Sequence, residues 1–115
     1  MSDWNTAKET ARGILVRHAK RRAAQTITYG DLVAQLPISL EANDPRLSVM
    51  LDEISKEEYK AGRGFLTVLV VHKSGDLMPG QGFFKMATEC GAVFIDRERF
   101  WCDAFKKVIT YWQNN

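Results

Sequence analysis

The run Phe65-Leu66-Thr67-Val68-Leu69-Val70-Val71-His72 constrains the fold more than any other stretch of this sequence. It is nearly continuously apolar and rich in β-branched residues, so it predicts a central strand covered on both faces. Covering it takes many apolar side chains. The chain has 115 residues, of which 45% are hydrophobic and 26% charged, a balance that suits one domain over 1–115.

Helical periodicity supplies the cover. From Trp4 to Ala24 the residues Trp4, Ala7, Ala11, Ile14, Leu15 and His18 share one side of a helix, and most basic residues lie on the other. On the apolar side His18 reads as a hydrogen-bonded core or boundary histidine. Gln25–Thr28 leans towards a short strand. Thr28-Tyr29-Gly30-Asp31 approximates a capping box and predicts a short helix over Tyr29–Leu36, stopped by Pro37. After a linker, Asp44-Pro45 forms an N-cap with proline in the first helical position. The third helix carries Leu47, Met50, Leu51 and Ile54 on one face and ends near Gly62.

Past the apolar run, Lys73-Ser74-Gly75-Asp76 reads as a turn and Leu77-Met78 as a brief return strand. A helix over Gln81–Glu89 should end at Gly91. A last helix presents Trp101, Ala104, Phe105, Val108 and Trp112, a stripe that reads as core. The order predicts an α+β, winged helix-turn-helix-like domain with a short β-sheet and an additional C-terminal helix.

No apolar stretch reaches the roughly 18 residues of a membrane span, and no export signal is read at the start. A cytoplasmic protein with no membrane association is expected. Cys90 and Cys102 read as free thiols, and with His18 and His72 they lack metal-ligand spacing, so neither a metal nor a cofactor is expected.

Net charge is +2 but unevenly spread. Residues 8–22 hold Lys8, Arg12, Arg17, Lys20, Arg21 and Arg22 against Glu9, a net +5; residues 41–58 hold six acids against Arg46 and Lys56, a net −4. Such a dipolar chain points to a charged partner.

Ile27-Thr28-Tyr29-Gly30-Asp31-Leu32-Val33 is similar to the Val-x-Tyr-Gly-x-Ile-Ala layout of the alkylguanine DNA alkyltransferases and the alkyltransferase-like proteins. The resemblance extends as an order of features over roughly residues 8–91. It implies a DNA-binding domain in which Arg46, near the start of the recognition helix, stands where the family has an intruding arginine. The family's Pro-Cys-His-Arg motif would fall on Leu66-Thr67-Val68-Leu69, placing Thr67 at the nucleophile and Val68 at the histidine. Alkyl transfer needs an activated thiolate, so the resemblance implies binding without that chemistry. The stretch Gly64–Phe84 also resembles small uncharacterised bacterial proteins with V-V-x-K followed by P-G-x-G-F-F.

Two functions follow. The first is non-enzymatic binding of duplex DNA through Arg12, Arg17, Lys20, Arg21, Arg22, Tyr29, Arg46 and Arg63, with Lys73 and Ser74 at the wing. The second is a protein-interaction module, such as an immunity protein or antitoxin, meeting a basic, nucleic-acid-processing partner through Asp52, Glu53, Glu57 and Glu58. Two minor sites complete the reading. Gly80-Gln81-Gly82 opens a helix whose N–H groups suit an anion or merely form a tight turn, and His72 with Asp76 reads as a strand-end histidine beside a turn.

Overall fold

The computed structural model describes residues 3–73 and 78–115. Its elements are α1 (Asp3–Ala19), β1 (Ile27–Thr28), α2 (Tyr29–Val33), α3 (Pro45–Lys60), a 3₁₀ turn (Leu66–Leu69), β2 (Val70–Val71), α4 (Gln81–Glu89) and α5 (Arg97–Gln113). The two strands pair in parallel, Ile27 with Val70 and Thr28 with Val71. The fold is thus helix-rich α+β with a two-stranded parallel sheet.

The local signals act as the residue types dictate. Thr28 Oγ1 accepts from the Asp31 N–H at 3.1 Å, and Asp44 accepts from the Arg46 N–H at 2.9 Å ahead of Pro45. At the end of α3, Gly62 takes a φ of +80°. The Gly62 and Arg63 N–H groups then return to the carbonyls of Tyr59 and Glu58, a Schellman closure. Gly91 closes α4 in the same way, with Ala92 donating to Ala87.

The main departure is the apolar run. The expected strand over Phe65–His72 is a 3₁₀ turn followed by only two strand residues. The run is buried from Phe65 to Val71, and β1 offers just two residues for pairing. Buried backbone groups need partners, and here they find them off the ladder. Val68 donates to Phe65 O, Val70 donates to Thr67 O, Ser55 Oγ accepts from the Thr67 N–H, and Trp101 Nε1 donates to Val68 O. Burial on all sides was read correctly; the backbone conformation was not.

Two helices are shorter than their periodicity suggests. The first stops at Ala19 rather than Ala24, because the chain turns through Lys20–Ala23 and Ala24 itself adopts a φ of +53°. The second stops at Val33 rather than Leu36, ahead of Pro37. Of the expected turn and return strand, residues 74–77 lie outside the described residues, and Met78 is not in a strand. The His72 N–H donates to Met78 O at 3.0 Å, so the chain doubles back there.

Leu15, Leu32, Met50, Ile54, Leu66, Leu69, Met86 and Val108 form the fully buried centre, with Trp101, Phe105 and Trp112 of α5 packed half-buried against it. No helix among the described residues is long and apolar enough to cross a membrane.

Candidate ligand-binding cleft

A cleft of about 610 Å³ opens between the start of α2, the first half of α3 and the start of α4. Its size suits a small organic ligand or a single base. Tyr29 enters because the Thr28 cap starts α2 at the wall of the cleft. Its ring lies 5.3 Å from that of His72, tilted by 40°. The Tyr29 hydroxyl accepts from the Gly80 N–H at 2.8 Å, which ties α2 to the start of α4. Burial pushes the Tyr29 phenol above its usual range; the Gly80 hydrogen bond opposes this, and the charge of Asp52 adds to it.

Glycine at position 80 matters through close approach rather than through its backbone angle. A Cβ at this position would sit 3.3 Å from His72 Nε2 and 3.5 Å from the Tyr29 hydroxyl. Gly80 also leaves α4 without a side-chain cap, and Gly80, Gln81, Gly82 and Phe83 at that helix start line the cleft. Asp52, from α3, lines the opposite wall. Burial raises its carboxyl, Lys56 lowers it and Glu89 raises it further. Lys73 also lines the cleft and brings a positive charge to it.

Thr67 also lines this cleft. Its hydroxyl bonds to that of Ser55 at 2.5 Å, and both residues are buried. A second hydroxyl cannot act as a base for it, so the pair is a polar anchor holding the 3₁₀ turn against α3.

The remaining sequence-picked residues divide between two other places. Glu58, 1% exposed, receives Arg12 Nη1 at 2.7 Å and Arg63 Nε and Nη2 at 2.8 and 2.7 Å. Burial pushes the Glu58 carboxyl up, but the Arg63 and Arg12 hydrogen bonds and charges outweigh it and hold the group below its usual range. Glu57 binds Lys8 and Arg12, and Glu53 binds Lys8 and the Trp4 indole. The acids of α3 therefore do not form one surface: Glu53, Glu57 and Glu58 are taken up by α1 and Arg63, while Asp52 faces the cleft.

These contacts also show that α1 and α3 run in the same direction, with Trp4 and Lys8 beside Glu53 and Arg12 beside Glu58. Arg46 lies in the first turn of α3, and Lys20 lies just beyond the end of α1. Arg17, Lys20, Arg21 and Arg22 are all exposed at that far end, with Lys20 over the Trp112 ring at 5.8 Å. Arg46 is exposed and paired with Asp44 at 2.8 Å, two residues before cleft-lining Ser48. The structure thus gathers Tyr29, Asp52 and Lys73 at the cleft with Arg46 nearby, and leaves the basic end of α1 elsewhere.

Sequence reasoning missed Asn43 and Ser48 as cleft residues, and Asp31 beyond its cap role. Among the described residues, no three or more His, Cys, Asp or Glu residues gather as a metal site. The chain matches no protein-family model, and comparisons with curated proteins and with solved structures likewise return no match.

Proposed function

We propose that the chain is a non-enzymatic, winged-helix-like DNA-binding domain that engages duplex DNA with its α2–α3 end, the cleft receiving a base that has left the stack. One observation carries this reading. The α3 acids Glu53, Glu57 and Glu58 are bound to Lys8, Arg12 and Arg63, so they do not form a repelling row of free carboxylates, and the helix start exposes Ser48, Val49 and Arg46, the last of these paired with Asp44. The order of helices and the resemblance of Ile27–Val33 to alkyltransferase-like domains support the same arrangement. In it Tyr29 and His72 supply ring surface for a base, Asp52 a hydrogen-bonding carboxyl, and Lys73 a phosphate contact.

Fluorescence anisotropy tests this with two labelled duplexes, one fully paired and one with a single unpaired base. The unpaired base lowers the cost of extrusion and should tighten binding about ten-fold. Gly80→Ala, whose Cβ crowds His72 and Tyr29, should remove that preference while the fold is kept. No binding to either duplex at low salt would overturn the reading. The other candidate, a protein-interaction module built on the acidic helix, draws less from this geometry, because three of its four acids are engaged within the molecule.

A further inference from the structure

At the opposite end from the cleft, the end of α3 and the last turns of α5 enclose a groove of about 580 Å³. It is lined by Tyr59, Gly62, Arg63, Gly64, Lys106, Lys107 and Tyr111, and no acid lines it among the described residues. We propose that this groove binds single-stranded nucleic acid, with bases stacked on Tyr59 and Tyr111 and phosphates on Lys106, Lys107 and Arg63. The proposal does not depend on the reading of the cleft.

Tyr59 is 45% exposed although one face of its ring stacks on Phe65, with centroids 4.5 Å apart and planes 2° from parallel. The core thus holds an aromatic face in place at the groove. Tyr111 packs edge-on against Trp112, and its hydroxyl interacts with Arg63. Lys106 and Lys107 are exposed and form no ion pair among the described residues, whereas Arg63 is shared with Glu58. Asp103, the nearest acid before them on α5, is one turn away and likewise has no ion pair there.

The basic surface continues beyond the groove. Lys20 lies over Trp112, and Gln113 donates to the Arg21 carbonyl, so Lys20, Arg21 and Arg22 adjoin the end of α5. Cations that track a backbone, interleaved with aromatic faces, are the elements of single-strand recognition. A duplex keeps its bases stacked inside and would leave the tyrosines unused. An acidic peptide would use the lysines but not the ring faces.

The test is anisotropy of a fluorescein-labelled oligothymidylate of about 12 nucleotides, a usual single-strand site length, with the full chain. Lys106→Glu with Lys107→Glu should weaken binding about ten-fold or more and flatten the log–log salt slope by about 1.4, two lost phosphate contacts. Tyr59→Ala and Tyr111→Ala should each cost about five-fold or more, and the Phe variants of both should bind like the parent, since they keep the stacking face. An oligomer of the same length made of abasic sites should bind more weakly. Equal binding of the abasic strand, equal effects of Phe and Ala, or no binding at low salt would overturn the proposal. So would capture by phosphatidylserine vesicles that displaces the strand. Arg46→Ala and Lys73→Ala should leave single-strand affinity unchanged; if they abolish it, the strand lies in the cleft and the groove is not its site.

Discussion

Glu58 shows how much a single carboxylate can organise. It is buried on the inner side of α3, and its position would be costly without Arg12 from α1 and Arg63 from beyond the helix end. Glu58→Ala removes the acceptor that Arg12 and Arg63 share, although Arg12 keeps Glu9 and Glu57, and should cost about 1–3 kcal/mol in guanidinium chloride unfolding; a loss below about 0.5 kcal/mol would mean that water replaces the pair. His18 is the second informative residue. Among the described residues its Nδ1 is buried without a hydrogen-bond partner; burial, followed by the charge of Arg21, lowers its pKa from the ordinary 6.5, against hydrogen bonding to the backbone of Thr26, Gln25 and Ala24, which raises it. With the folded value below the unfolded one, the unfolded chain binds the proton more readily. The penalty is absent above pH 6.5, grows as pH falls below it and levels off once the folded group also protonates. Melting temperature should therefore fall between pH 7.5 and 5.5, and His18→Leu should reduce that dependence. The residue's place on the apolar side of α1 was legible from spacing. Its missing partner was not, because that depends on how residues 24–26 cross the helix.

Among elements, α3 is the one whose ends are written most plainly in the sequence. Asp44-Pro45 starts it and Gly62 ends it, each through backbone groups within a few residues. A Cβ at Gly62 would meet nothing within 4 Å, so Gly62→Ala isolates the cost of a left-handed backbone at φ +80°. That cost should be about 1–2 kcal/mol, measured as a shift in the denaturation midpoint with an unchanged m-value. An unchanged midpoint would mean that the closure is dispensable. The apolar run at residues 65–72 behaves differently. Its β-branched composition predicts a strand, but composition cannot report that only two residues of β1 lie alongside. Ser55 and Trp101, 12 and 33 residues away, satisfy the backbone that a second strand would otherwise have bonded.

For the whole molecule, charge is divided between the two ends of α3, beside which α1 runs in the same direction. The cleft and Arg46 lie towards one end; Lys106, Lys107 and the Lys20–Arg22 loop lie at the other. Sites more than about 10 Å apart without shared partners act independently. Arg46→Glu should thus weaken duplex binding and Lys106→Glu single-strand binding, and the double variant should show each loss undiminished; strong coupling between them would mean that one nucleic acid spans both ends. Residue order alone was enough for the helix caps and the buried faces of α1, α3 and α5. These depend on interactions within a turn or on hydrophobic periodicity, both of which are local. Tertiary packing decided the rest. It turned the predicted strand into a 3₁₀ turn, paired the acids of α3 with α1 and brought Tyr29 to Gly80, 51 residues away. Partnership between distant polar groups is set by which elements become neighbours, and that is not encoded in spacing along the chain.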